Sequence, residues 1–165
     1  KNWLSVLKAS FVIFELPPFF ENIGKRVIKS PKIYFTDTGL VSHLLGINSP
    51  DQVVRDPLRG GLYENLVILE ILKSFYNRGR RPDLFFYRDT HGNEVDLVIR
   101  QHRQLLPIEI KSAATFTKEF LKGIKQFRKQ TPDRSIPGFV LYNGTDRYQV
   151  DETAIRNILV HGLPV

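Results

Sequence analysis

The stretch LLPIEIKSA, residues 105–113, sets Glu109 and Lys111 two positions apart in a segment that otherwise reads as a buried strand. Side chains at i and i+2 leave a strand on the same face, so an acid and a base project together while Ile108 and Ile110 face the other way. Two more carboxylates belong to the same question. Asp96 interrupts EVDLVIR immediately before Leu97, Val98 and Ile99. Glu64 lies in the helical pattern LYENLVILEILKSFYN. At about 100° per residue it shares a stripe with Val67, Ile68, Ile71 and Phe75, while Glu70, Lys73, Ser74 and Asn77 take the opposite face. A bare buried charge costs several kcal/mol, so each of these acids demands a partner.

Carboxylates that converge repel one another, and a bound cation relieves the repulsion. Hard oxygen ligands select Mg²⁺, Mn²⁺ or Ca²⁺ over softer ions. A lysine beside such a cation suits phosphoryl chemistry, where it orients water or stabilises developing charge. Taken alone, the Glu109/Lys111 pair also fits a plainer reading, because a Glu-x-Lys pair on a strand is a common feature of a solvated face. Glu64 on the apolar stripe and Asp96 on the adjacent strand weigh toward the chemical one.

The elements that must position these groups follow from pattern. Residues 2–9 read as the end of a helix with Trp3 packed, and ASFVIFEL (9–16) as a strand stopped by Pro17 and Pro18. A basic loop then leads to a second strand ending at Tyr34 and Phe35, a hairpin or wing. Asp37 and Thr38 cap a short helix through Leu45, ended by Gly46. SPDQVVRDPLRGG (49–61) reads as a loop or linker. The helix at 62–77 leads through RGRRP to three strands, 84–88, 94–100 and 104–111, joined by the turns DTHGN and QHR. A helix over about 118–129, a strand at 138–143, and a tail with one short strand and a terminal helix complete the order.

With 24 Lys and Arg against 17 Asp and Glu, the net charge of +7 favours an anionic partner, nucleic acid before a membrane surface. The basic candidates for phosphate contact are Lys25/Arg26/Lys29/Lys32, Arg78/Arg80/Arg81, and Lys118, Lys122, Lys125, Arg128 and Lys129. Within the last group, Lys118, Lys122, Lys125 and Lys129 recur at helical spacing. Without cysteine, a disulfide framework and a thiolate zinc site are both ruled out. The four histidines show no ligand spacing. No apolar run approaches the roughly 18 residues of a membrane span, and a cytoplasmic location is expected. A chain that opens KNWLSVL and holds no methionine reads as the C-terminal part of a longer polypeptide.

The helix Glu, strand Asp and Glu-x-Lys series resembles the PD-(D/E)XK nuclease superfamily, with Val95 where many members carry proline. A closer resemblance runs through FELPPFFENIGKRVIKSPKIYFTDTGLVSHLLGI, LYENLVILEIL, GNEVDLVI and IEIKSA. These are similar to the domain found C-terminal to bacterial and archaeal AAA-type ATPases. The resemblance implies an α/β, restriction-endonuclease-like mixed sheet flanked by helices (37–165), preceded by the remnant of a winged-helix-like segment with its wing (1–36). It implies an ATPase domain in the same polypeptide, whose P-loop signature does not occur here. By the same resemblance Asp96 and Glu109 hold Mg²⁺ or Mn²⁺, with the Ile110 carbonyl as a third oxygen. Glu64 holds a second metal or a metal-bound water, Lys111 positions the attacking water, and Gln126 is an auxiliary candidate. Nucleic-acid contact falls to Arg80, Arg81, Lys118, Lys122, Lys125 and Lys129. The alternative is a nuclease scaffold without catalysis, serving the ATPase as a regulatory or partner-binding module.

Overall fold

The computed structural model of the protein describes residues 2–20 and 30–163. Helix α1 (Asn2–Ala9) leads into β1 (Ile13–Leu16), which pairs antiparallel with β2 (Lys32–Phe35), from Ile13 opposite Phe35 to Leu16 opposite Lys32. The expected hairpin is therefore present, while its expected basic tip, with Lys25, Arg26 and Lys29, lies outside the described residues. The first strand is shorter than its apolar run suggested, because Phe11 takes a positive φ of 56° and breaks the chain after α1. Trp3 is 81% exposed rather than packed, since α1 turns that side chain away from the core.

Helix α2 (Thr38–Leu44) starts as expected, with Asp37 Oδ1 accepting from Leu40 N at 2.6 Å. The expected linker at 49–61 is mostly helix instead. Ser49 and Gln52 form a capping box around Pro50, which starts α3 (Pro50–Arg55), and α4 (Arg59–Tyr76) begins before its two glycines. A Pro-, Asp- and Gly-rich composition thus concealed a helix start.

The six-stranded mixed sheet has the order β3-β4-β5-β6-β8-β7. Strands β3 (Asp83–Arg88), β4 (Glu94–Gln101) and β5 (Gln104–Lys111) form an antiparallel meander. A 3-10 turn (Lys118–Leu121) and α5 (Lys122–Gln130) then carry the chain to β6 (Phe139–Tyr142), parallel to β5. The tail holds two strands, not one, because Asp151 takes a positive φ of 52° between β7 (Tyr148–Val150) and β8 (Thr153–Arg156). Helix α6 (Ile158–His161) follows.

Helices cover both faces of the sheet. On one face Val67, Ile68 and Ile71 of α4 meet Leu97, Ile99, Ile108 and Ile110 in the largest core. On the other, Phe127 of α5 packs with Tyr87, Val95, Val98 and Leu105, and Leu121 and Ile124 meet Val140, Tyr142 and Ile155. Each such fully buried aliphatic or aromatic side chain is worth about 1.5–3 kcal/mol relative to exposure. The alternation read in β5 holds: Ile108 and Ile110 lie against α4, which leaves Glu109 and Lys111 for the α5 face.

Strand β4 carries an irregularity that matters for the site. Phe85 pairs with Val98 and Tyr87 with Val95, so β4 spends three residues where β3 spends two. Leu97 faces the α4 core, yet both Val95 and Val98 pack with Phe127 on the α5 side. The extra residue of this bulge is Asp96.

A buried acid–base cluster as the candidate functional site

The bulge determines what Asp96 can reach. The β4–β5 ladder runs from Gln101 opposite Gln104 to Leu97 opposite Ile108 and stops there. Beyond it, the Asp96 carboxylate replaces the ladder: Oδ2 accepts from Ile110 N at 2.8 Å. The acid therefore sits between the two strands, where groups from both faces act on it. Lys111 Nζ reaches it at 3.3 Å and reaches Glu109 Oε1 at 2.7 Å. Asp96 and Glu109 are each only 8% exposed. The second Glu109 oxygen, Oε2, is buried without a hydrogen-bond partner. It lies close to α5, since a Cβ added at Gly123 would stand 3.2 Å from it and 2.1 Å from the Glu94 carbonyl oxygen.

Burial penalises the charged carboxylates. It pushes Glu109 from 4.5 up to about 8, with the Asp96 charge adding and Lys111 opposing. Burial also raises Asp96, against Lys111 and with Glu64 adding. For Lys111 burial works to lower the pKa, but the two carboxylates outweigh it and hold the ammonium above its ordinary range.

Glu64 joins through a different lysine. Its Oε1 accepts from Lys32 Nζ at 3.0 Å and from the Tyr34 hydroxyl at 2.5 Å, both on β2. Lys32 also pairs with Glu94 Oε1 at 2.6 Å, and Glu94 in turn holds Arg88. Burial disfavours the charged Lys32, yet Glu64, Glu94 and Asp96 together raise its pKa. Burial and the Glu64 charge raise Tyr34, so its hydroxyl stays protonated and donates. Glu94 is held below the usual carboxylate range, where Lys32 and Arg88 outweigh burial.

The structure thus brings Asp96, Glu109 and Lys111 into direct contact and sets Glu64 near enough for its charge to act on Asp96. As the side chains stand, Lys111 fills the gap between Asp96 and Glu109, and Lys32 the gap between Glu64 and Glu94. Among the described residues, no three His, Asp or Glu side chains are close enough to share a metal ion in this arrangement.

Sequence reasoning missed Tyr34, Glu94 and Asn65, and placed Lys32 among phosphate-tracking surface cations when it lies inside the cluster. Asn65 is buried on α4 and grips the Phe35 backbone twice, Oδ1 accepting from its N–H at 2.8 Å and Nδ2 donating to its carbonyl at 3.0 Å. A polar residue beside Glu64 in an otherwise apolar helix pattern was the available signal.

Of the other expected contacts, Arg80, Arg81, Lys118, Lys122, Lys125 and Lys129 are all exposed. The helical stripe is interrupted, because Lys118 belongs to the 3-10 turn while the other three lysines ride on α5. Lys125 pairs with Asp151 at 3.1 Å, and Gln126 is half-buried. No helix among the described residues is long and apolar enough to cross a membrane.

Fold and site together define a mixed α/β domain with a buried acid–base cluster at the end of its antiparallel meander. Residues 59–160 match the family described as a domain of unknown function, DUF4143, and the chain belongs to that family. Residues 1–51 match a second domain of unknown function, DUF8612. Two proteins described as uncharacterised, from Mycobacterium bovis and Mycobacterium tuberculosis, are each 29% identical over 156 residues. That covers 94% of this chain and 33% of each relative, so the chain spans about a third of their length.

Proposed function

We propose that this domain is a restriction-endonuclease-like nuclease module that hydrolyses phosphodiesters in nucleic acid with Mg²⁺ or Mn²⁺, as the C-terminal part of an AAA-type ATPase. The observation that carries the reading is the placement of Asp96 and Glu109 on adjacent strands with Lys111 between them. The order of helix, three antiparallel strands, helix and parallel strand, with Glu64 on the first helix, agrees with it.

The donor set suits such an ion. It consists of hard carboxylate oxygens, one of them, Glu109 Oε2, buried and unpartnered. Asp96 and Glu109 would hold the metal and Glu64 would supply a further oxygen. The ion would supply Lewis-acid polarisation of a phosphoryl oxygen and a lower pKa for bound water. Lys111, released from one carboxylate, would keep its proton and direct an N–H toward the attacking water or the phosphoryl oxygen. Burial of the cluster strengthens each of these interactions by excluding water. The exposed Arg80, Arg81, Lys118, Lys122 and Lys129 would take the phosphate backbone. The test is cleavage of single- and double-stranded DNA and RNA with Mn²⁺. Activity is expected in the wild type and lost in Asp96→Ala and Lys111→Ala, and activity surviving both changes refutes the assignment.

A second reading rests on the lysines themselves. Each carboxylate pair already has its own ammonium, the arrangement expected of a nuclease scaffold retained as a regulatory or partner-binding module of the ATPase. Calorimetric titration with Mn²⁺ separates the two: heat in the wild type that disappears in Asp96→Asn supports the enzyme, and no heat in either supports the module.

A further inference from the structure

We propose that Lys32 is a built-in plug of the carboxylate cluster, an internal cation that the N-terminal hairpin holds on Glu64, the acid that would supply a further oxygen to a divalent ion at Asp96 and Glu109. The inference rests on the metal-dependent reading above and adds to it a residue from outside the sheet.

Lys32 belongs to β2, in the separate two-stranded sheet, yet its ammonium lies 2.6 Å from Glu94 Oε1 and 3.0 Å from Glu64 Oε1. Its charge also acts on Asp96. One flexible side chain thus neutralises two carboxylates and influences a third. A lysine held among acids is a counter-ion, and a divalent cation that draws on the Glu64 oxygen must displace it.

The hairpin does not depend on Lys32 to stay in place. Asn65 holds the Phe35 backbone through two hydrogen bonds, and the Tyr34 hydroxyl holds Glu64. Leu16 and Phe19 are buried as well, and the chain after Leu16 is bonded to β3, with Phe86 N donating to Pro17 O at 3.0 Å and Phe19 N to Phe86 O at 2.6 Å. The side chain can therefore swing out on its four-carbon stem while β2 remains docked. It retains a path outward, since it is about a quarter exposed. A polyanion arriving at this surface favours the outward position, because it offers the ammonium phosphate oxygens in exchange for carboxylates. Phosphate contact and metal entry then become linked steps, each promoting the other.

The experiment measures Mn²⁺ binding by calorimetry, without nucleic acid, for wild type, Lys32→Gln, Lys32→Ala, Arg88→Gln and Asp96→Asn. Lys32→Gln and Lys32→Ala are expected to bind at least tenfold more tightly than wild type. Arg88→Gln, which removes a positive charge from the same Glu94 without emptying the Glu64 side, is expected to change affinity less than threefold. Should a Lys32 variant fold poorly, thermal melting supplies the second readout: Mn²⁺ is expected to raise its Tm by more than it raises that of wild type. If wild type and both Lys32 variants bind equally while Asp96→Asn does not bind, the plug is overturned and the metal reading stands. If Arg88→Gln tightens binding as much as Lys32→Gln, the effect is one of net charge and the plug is likewise overturned. If no form binds Mn²⁺, both readings fall.

Discussion

Replacing Glu109 with Gln keeps the shape of the side chain and removes its ionisation, which isolates the cost of charging a carboxyl in this cluster. In the folded protein burial first, and the Asp96 charge second, lift Glu109 from 4.5 to about 8. At about 1.4 kcal/mol per tenfold change in proton affinity, that rise corresponds to about 5 kcal/mol. The figure is a ceiling, because water entry and side-chain rotation relieve part of such a penalty, and about 2 kcal/mol is expected to be seen. The sign follows from proton uptake. Between pH 4.5 and 8 the folded state binds this proton more strongly than the unfolded state, so wild-type stability falls as pH rises. The advantage of the protonated acid is fully present below 4.5 and lost as pH passes through about 8. Glu109→Gln has no such proton, and its amide oxygen can still accept from Lys111. Urea unfolding with chelator present, repeated across this range, is expected to show the variant gaining on wild type with rising pH and levelling off above about 8. A difference that stays flat, or that grows in favour of wild type, refutes the account of Glu109 as a strained, buried acid.

Asn65→Ala removes the clamp on Phe35 and leaves two backbone groups short of partners, at a cost of about 2–3 kcal/mol. Hydrogen exchange is expected to quicken at residues 32–36 while β5 keeps its protection. Gly123→Ala sets a methyl group 2.1 Å from the Glu94 carbonyl oxygen, so α5 must lift off the sheet. A loss of about 3 kcal/mol is expected by thermal unfolding, and unchanged stability would contradict the close seat of that helix.

The meander and the pair on β5 were readable because a strand's period is short and its signal local. Ile108 and Ile110 on one side, with Glu109 and Lys111 on the other, follow from alternation alone. Helix α4 was readable for a similar reason, since its apolar stripe repeats over several turns. The rest of the cluster was not local. Lys32 and Tyr34 precede Glu64 by about thirty residues, and nothing in KIYF indicates that its lysine turns inward to meet acids on another element. Helix α3 was hidden by composition, its capping box lying within residues that more often make turns. Trp3 was expected to pack because of its size, yet a helix at the edge of a fold can carry a large side chain outward.

The extra residue in β4 has a consequence for how this scaffold changes over time. Because Asp96 is the one residue out of step between Val95 and Val98, its removal would leave Val95, Leu97 and Val98 alternating strictly, each still directed toward the layer it already occupies. An in-frame loss of a single codon could therefore erase the central acid while sparing the hydrophobic architecture, and the reverse insertion could restore it. The acid cluster and the hydrophobic framework are separable here by one step, so a form of this fold with the central acid and a form without it lie a single residue apart.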